Sequence, residues 1–246
     1  MAGKINLNQA NLKKEIKSLS DKKIAESNLR FFKTGKGEYG EGDKFLGLSM
    51  AKQRSLAKKY KNLSFAEVKK FLDSKFHEER MIGLLVLVFK YEDKETRRPE
   101  KKKIFDFYIK NKKAANNWDL VDTSAPNIVG CYLKDKKERK ILYKMVNSKN
   151  LWDKRIAVLA TYGFIKERDL EDIIKMSSIL LQDQNDLIHK AVGWMLREAG
   201  KKDIKILEKF LNKHGHQMPR TMLRYAIEKF PERKRQHYLH LREKRA

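Results

Sequence analysis

The chain has 246 residues, of which 57 are Lys or Arg and 32 are Asp or Glu, a formal net charge of +25. Hydrophobic residues reach 41% and are spread along the whole length, so a sizeable core can be buried and disorder of the entire chain is excluded. With 12 Gly and 4 Pro, the punctuation needed by many short strands is missing, which argues against a β-sandwich or barrel.

The longest apolar run, Met81 to Phe89, falls well short of the roughly 20 residues of a membrane span, and Met1-Ala-Gly-Lys-Ile-Asn has no signal-peptide core. A soluble, cytoplasmic protein is expected. The single cysteine, Cys131, cannot form an intramolecular disulfide and is read as a buried structural thiol. Positive charge runs along the whole chain, which points to an extended footprint on a polyanion, nucleic acid first and a membrane surface second. For most individual lysines the alternative is a solvated helix face.

Taken in chain order, nearly every segment repeats apolar residues at i, i+3, i+4 and i+7, the mark of amphipathic helices. The exception near the start is Thr34 to Leu48, which carries Gly35, Gly37, Gly40, Gly42 and Gly47. It lacks the Gly-Lys-Ser/Thr of a phosphate-binding loop and reads as an ordered loop beside a ligand surface or as a flexible connector. Ser64 with Glu67 forms a capping box ahead of Val68, Phe71 and Leu72, and Asp169 is placed as the cap that opens Leu170, Ile173 and Ile174. About a dozen helices are predicted and no alternating strand.

The helices pair by design. A shorter first helix (Val68 to Leu72, Leu142 to Val146, Ile173 to Met176, Leu207 to Leu211) precedes a second with a basic residue near its start (Arg80, Lys154, Lys190, Arg220). With Trp118 counted as an interposed landmark, the spacing is about 30 to 38 residues, that of HEAT-like helix pairs. An all-α, right-handed superhelical stack with a concave basic face is expected, and an irregular helical bundle is the alternative. From Glu232 to Ala246 the chain is dense in charge and reads as a helix or a disordered basic arm.

Asn117-Trp118-Asp119-Leu120-Val121-Asp122 sets Trp118 and Asp122 one turn apart on one helix face. Read from the residues alone, Trp118 is either core or site, and Asp122 either a catalytic carboxylate or a partner for a lysine. Lys190, Trp194 and Arg197 share another face, an indole bracketed by cations that suits a phosphate backbone beside a sugar, or else a packed Trp with snorkelling neighbours. The pairs His214/His216 and His237/His240 lack a third ligand at useful spacing, so no metal is expected.

Four segments carry a resemblance to a known family. They are Lys44-Phe-Leu-Gly-Leu with Arg54 downstream, Asn117-Trp118-Asp-Leu-Val-Asp122, Leu151-Trp-Asp-Lys-Arg155-Ile-Ala-Val, and Lys190-Ala-Val-Gly-Trp194-Met-Leu-Arg197-Glu. In this order they resemble the AlkD-type DNA alkylation repair family of HEAT-like-repeat DNA glycosylases, from about residue 20 to about residue 230. Asn117 departs from that family, where an aromatic residue often precedes the tryptophan.

The resemblance implies hydrolysis of the N-glycosidic bond of N3- or N7-alkylated purines in duplex DNA by a monomer, with no cofactor, no membrane and no obligate protein partner. It implies that Trp118 and Trp194 flank the lesion's deoxyribose and that Asp122 is the catalytic carboxylate. Arg155, Lys190, Arg197 and Arg54 would contact the DNA backbone. It places a single glycosylase domain at 1–231 and a basic tail at 232–246. A non-catalytic module of the same design, binding DNA or structured RNA, is the competing expectation.

Overall fold

The structure, a computed structural model, describes residues 7–240, and among them every regular element is helical. The single β-type pairing is an isolated parallel bridge between Lys44 and Phe76. The chain divides after Ile128 into two compact units.

The first unit holds α1 (Gln9–Leu19), α2 (Lys22–Phe31), α3 (Met50–Lys59), α4 (Phe65–Leu72), α5 (His77–Glu92), α6 (Arg98–Lys110) and α7 (Trp118–Ala125). Its centre is α5, and the reason is compositional. A helix apolar all round has no face to give to water, so it is enclosed by its neighbours. Met81 through Val88 are all buried, with α3, α4, α6 and α7 packed on them. Fully burying each such side chain contributes about 1.5–3 kcal/mol relative to exposure. The capping box at α4 forms as expected: the Ser64 hydroxyl accepts from the Glu67 amide, and the Glu67 carboxylate accepts from the Ser64 amide.

A π-helical turn at Pro126–Gly130 continues α7 into the second unit. There follow α8 (Cys131–Leu133), α9 (Lys140–Val146), α10 (Leu151–Lys166), α11 (Glu171–Ile179), α12 (Asp186–Lys202), α13 (Ile204–His214), α14 (Arg220–Ala226) and α15 (Glu232–Leu239). Here α10 and α12 are the buried spine. α9 and α11 pack against α10, α11 and α13 against α12, and α14 lies along α12. The sequence pairs α4/α5, α9/α10 and α11/α12 are therefore packed pairs, whereas α13 leans on the helix before it. α12 and α14 cross closely at Gly193, where a Cβ would lie 2.4 Å from the Met222 carbonyl oxygen.

Two local expectations are corrected. Asp169 does not cap α11. Residues 167–169 instead finish α10, with the Arg168 backbone at φ 63 and the Asp169 amide donating to the Phe164 carbonyl. The Asp169 carboxylate is taken by Arg139 Nη1 at 2.7 Å. Cys131 is half-buried at the start of α8, not buried. Of the charged tail, 232–239 is α15, held by the buried Tyr238, whose hydroxyl donates to Asn212 at 3.1 Å. Arg242, Lys244 and Arg245 lie outside the described residues.

Candidate functional site

In the first unit, Trp118 opens α7. Asn117 is fully buried as its N-cap and accepts from the Trp118 amide at 2.8 Å. Trp118 itself is half-exposed, and Asp122, also half-buried, follows one turn later on the same helix. The Asn at 117 is thus an interior capping residue.

What holds this turn comes from three other segments. The Trp118 ring stacks on Phe32 at 5.7 Å between centroids, and Phe31, 62% exposed, meets it edge-on at 5.9 Å. Behind Phe32, the His77 imidazole packs against both Phe32 and Phe45, at 4.7 and 4.8 Å, and the two phenyl rings stack on each other at 5.1 Å. His77 Nδ1 is 3.1 Å from the Asp43 carboxylate and Nε2 is 2.8 Å from that of Asp119, the residue after Trp118. Asp43 also accepts from Arg80 Nη2 at 2.6 Å and, more distantly, from the amides of Asn116 and Asn117.

Burial opposes charge on His77, but hydrogen bonds and charge from Asp119 and Asp43 outweigh it and raise its pKa above the ordinary 6.5. Burial likewise works against the Asp43 carboxylate, and His77 and Arg80 together bring its pKa below the ordinary 3.8. A carboxylate on α5 secures the glycine-rich loop. Glu78, 1% exposed, accepts from the amides of Leu46, Gly47 and Leu48 at 2.8 to 3.3 Å. Gly47, at φ 82, has no room for a side chain, since a Cβ would sit 1.8 Å from the Asp21 carbonyl oxygen. The 34–48 segment is therefore an ordered loop whose Asp43 and Phe45 back the Trp118 turn.

None of Phe31, Phe32, Asp43, His77 or Asp119 stands out in the sequence. Asp43 and Asp119 lie 34 and 42 residues from the histidine that joins them. The only local sign is a polar quartet, His77-Glu-Glu-Arg80, at the head of the helix that carries the longest apolar run, Met81 to Phe89.

The other expected residues lie in the second unit, apart from Arg54, which is exposed on α3. Lys190, Trp194 and Arg197 form a half-exposed stripe on α12. Lys190 pairs with Asp186 at 2.8 Å, and Arg197 pairs with Glu228 and, at 3.5 Å, with Glu198. Arg155 is different: it is 4% exposed, and its Nη1 donates to the Leu187 carbonyl at 2.6 Å, tying α10 to the first turn of α12. A cleft of about 620 Å³ in this unit, lined by residues such as Lys136, Arg139, Tyr143 and Lys175, includes no residue of α12. Among the described residues no group of three or more His, Cys, Asp or Glu is arranged to hold a metal ion, and no helix is long and apolar enough to cross a membrane.

No curated protein matches the chain. Its fold is that of a solved structure of a predicted DNA alkylation repair enzyme from Enterococcus faecalis, with a TM-score of 0.68 over 87% of this chain and 97% of that one at 13% identity. The model of the family described as DNA alkylation repair enzyme matches residues 12–230, from the buried Leu12 of α1 to the Phe230 that precedes α15, and the chain therefore belongs to that family.

Proposed function

We propose that this protein is a monofunctional DNA glycosylase that hydrolyses the N-glycosidic bond of N3- or N7-alkylated purines in duplex DNA. The observation that carries the reading is the half-exposed Trp118 with Asp122 one turn away, braced from behind by a buried charge network, in a member of an alkylation repair family. Family membership supports DNA as the substrate, and the net charge of +25 supports a polyanionic one. In this reading residues 1–231 act as one glycosylase domain, the helix pairs as a right-handed HEAT-like stack with a concave basic face, and 232–246 as a basic tail.

The chemistry follows from the leaving group. An alkylated purine carries a positive charge, so when the C1′–N bond breaks its electron pair neutralises the base, and little acid catalysis is needed. Positive charge then grows on the sugar, as in glycoside hydrolysis generally. The indole faces of Trp118 and Trp194 and the Asp122 carboxylate would stabilise it, an electrostatic effect aimed at the place where charge develops. Asp122 would orient the attacking water, whose oxygen bonds to C1′ and whose proton passes through the carboxylate to solvent. No metal or organic cofactor is called for by this sequence of steps. Lys190, Arg197 and Arg54 would contact phosphates, Lys190 and Arg197 by exchanging Asp186 and Glu228 for them. Arg155 would act through the start of α12, which it holds. Selectivity then lies in the lability of cationic lesions, and uracil should be a poor substrate.

The test is release of free 7-methylguanine or 3-methyladenine from methylated duplex DNA, with Asp122→Asn beside the parent at identical salt. Release by the parent and a loss of about a hundredfold or more in the variant, with duplex binding retained, is the expected result. Duplex binding without release would make the protein a non-catalytic DNA-binding member, and equal release of uracil would overturn the selectivity argument.

A further inference from the structure

We infer that His77 is a positioning residue for the site, a clamp that fixes the first turn of α7 and with it Trp118 and Asp122. This rests on reading Trp118 and Asp122 as the reacting-site residues. The clamp acts by two routes. His77 Nε2 bonds the carboxylate of Asp119, between Trp118 and Asp122 in the chain, at 2.8 Å. Phe32, packed on the imidazole at 4.7 Å, stacks on the Trp118 ring at 5.7 Å.

Both ring nitrogens of His77 face carboxylates, and a neutral imidazole has only one N–H, so only the imidazolium can donate to Asp43 and Asp119 together. The surroundings suit that charge. From the loop come Asp43 and the Lys44 carbonyl, which accepts from the His77 amide at 2.8 Å. From α5 come Arg80, bound to Asp43, and Glu78, occupied by the loop amides. From α7 comes Asp119, while Phe32, the residue that ends α2 as its C-cap, packs on the ring. Asp43 and Asp119 against His77 and Arg80 balance only while His77 keeps its proton. Its loss would set a bare ring nitrogen against a carboxylate in a nearly dry site, and the side freed would include the start of α7.

Nitrogen-15 spectra of the full chain report this directly, because its three tryptophans, Trp118, Trp152 and Trp194, each give one indole N–H signal. In His77→Gln the Trp118 signal should move while those of Trp152 and Trp194 stay. The first-order excision constant should fall about tenfold or more with duplex Kd held within about twofold, since a displaced group loses turnover before binding. In the parent, excision and the Trp118 signal should change together on the alkaline side, with the midpoint of the His77 ring. A folded His77→Gln with an unmoved Trp118 signal, or with the parental excision constant, overturns the inference. Asp119→Ala cuts the same bond from the other end and decides the matter if His77→Gln does not fold: a displaced Trp118 supports the clamp and an unmoved one overturns it. Should the parent release no alkylpurine, the proposed function fails, while the indole displacement still reads the clamp.

Discussion

Arg155 and Arg54 show how differently two arginines on helices can be spent. Arg155 is buried with a carbonyl partner from α12, so Arg155→Ala leaves the Leu187 oxygen without a charged donor and should lower unfolding free energy by about 2–3 kcal/mol in urea titrations. Arg54 is exposed on α3, so Arg54→Ala should leave stability within about 0.5 kcal/mol. It should instead flatten the salt dependence of duplex binding by about one unit of log–log slope. Stability loss at Arg54, or none at Arg155, would reverse these assignments. Phe31 is an exposed aromatic that no sequence pattern singled out. Its edge contact with Trp118 makes Phe31→Ala a variant expected to weaken retention of duplex DNA in gel-shift titration while sparing the fold.

Single elements are set by short-range chemistry and by the few long bonds that join them. The α4 capping box is the local kind, and Ser64→Ala should lower stability by about 1 kcal/mol. The junction of the 34–48 loop, α5 and α7 is the long-range kind, and it gives stability a dependence on pH. His77, with its pKa raised, stabilises the fold fully below its ordinary 6.5, and that contribution is lost as pH rises through the raised folded value. Asp43, with its pKa lowered, contributes above its ordinary 3.8 and loses that contribution as pH falls through the lowered folded value. Unfolding free energy from denaturant titrations should therefore hold a plateau between these limits and decline on the alkaline side, a limb that His77→Gln should flatten. An unchanged alkaline limb in that variant would remove His77 as its source.

For the whole molecule the governing quantity is charge. A surplus of +25 supplies a strong field, but Lys190, Arg197 and Arg139 are already tied to carboxylates, so only part of it is available for counterion release. If six or more phosphates are neutralised, the log–log plot of duplex affinity against salt should have a slope of about −5 or steeper. A slope shallower than about −2 would leave no room for an extended basic face. The same measurement on lesion-free duplex should give nearly the same slope, because phosphate contacts carry no sequence or lesion information.

Helix formation is decided within a few residues, which is why the all-α class, the pairing of α4 with α5 or α11 with α12, the Ser64 capping box and the shared face of Trp118 and Asp122 could be read from spacing alone. The four runs that carry the family resemblance are equally local, one in the 34–48 loop and the others on α7, α10 and α12. Tertiary structure alone decided the burial of Arg155, the capture of Asp169 by Arg139, the half-exposure of Cys131 and the joining of Asp43, His77 and Asp119 behind Trp118. The burial of Arg155, the capture of Asp169 and the joining of Asp43, His77 and Asp119 each depend on which residue, some thirty or more positions away, arrives beside a side chain, and periodicity within one helix carries no record of that meeting.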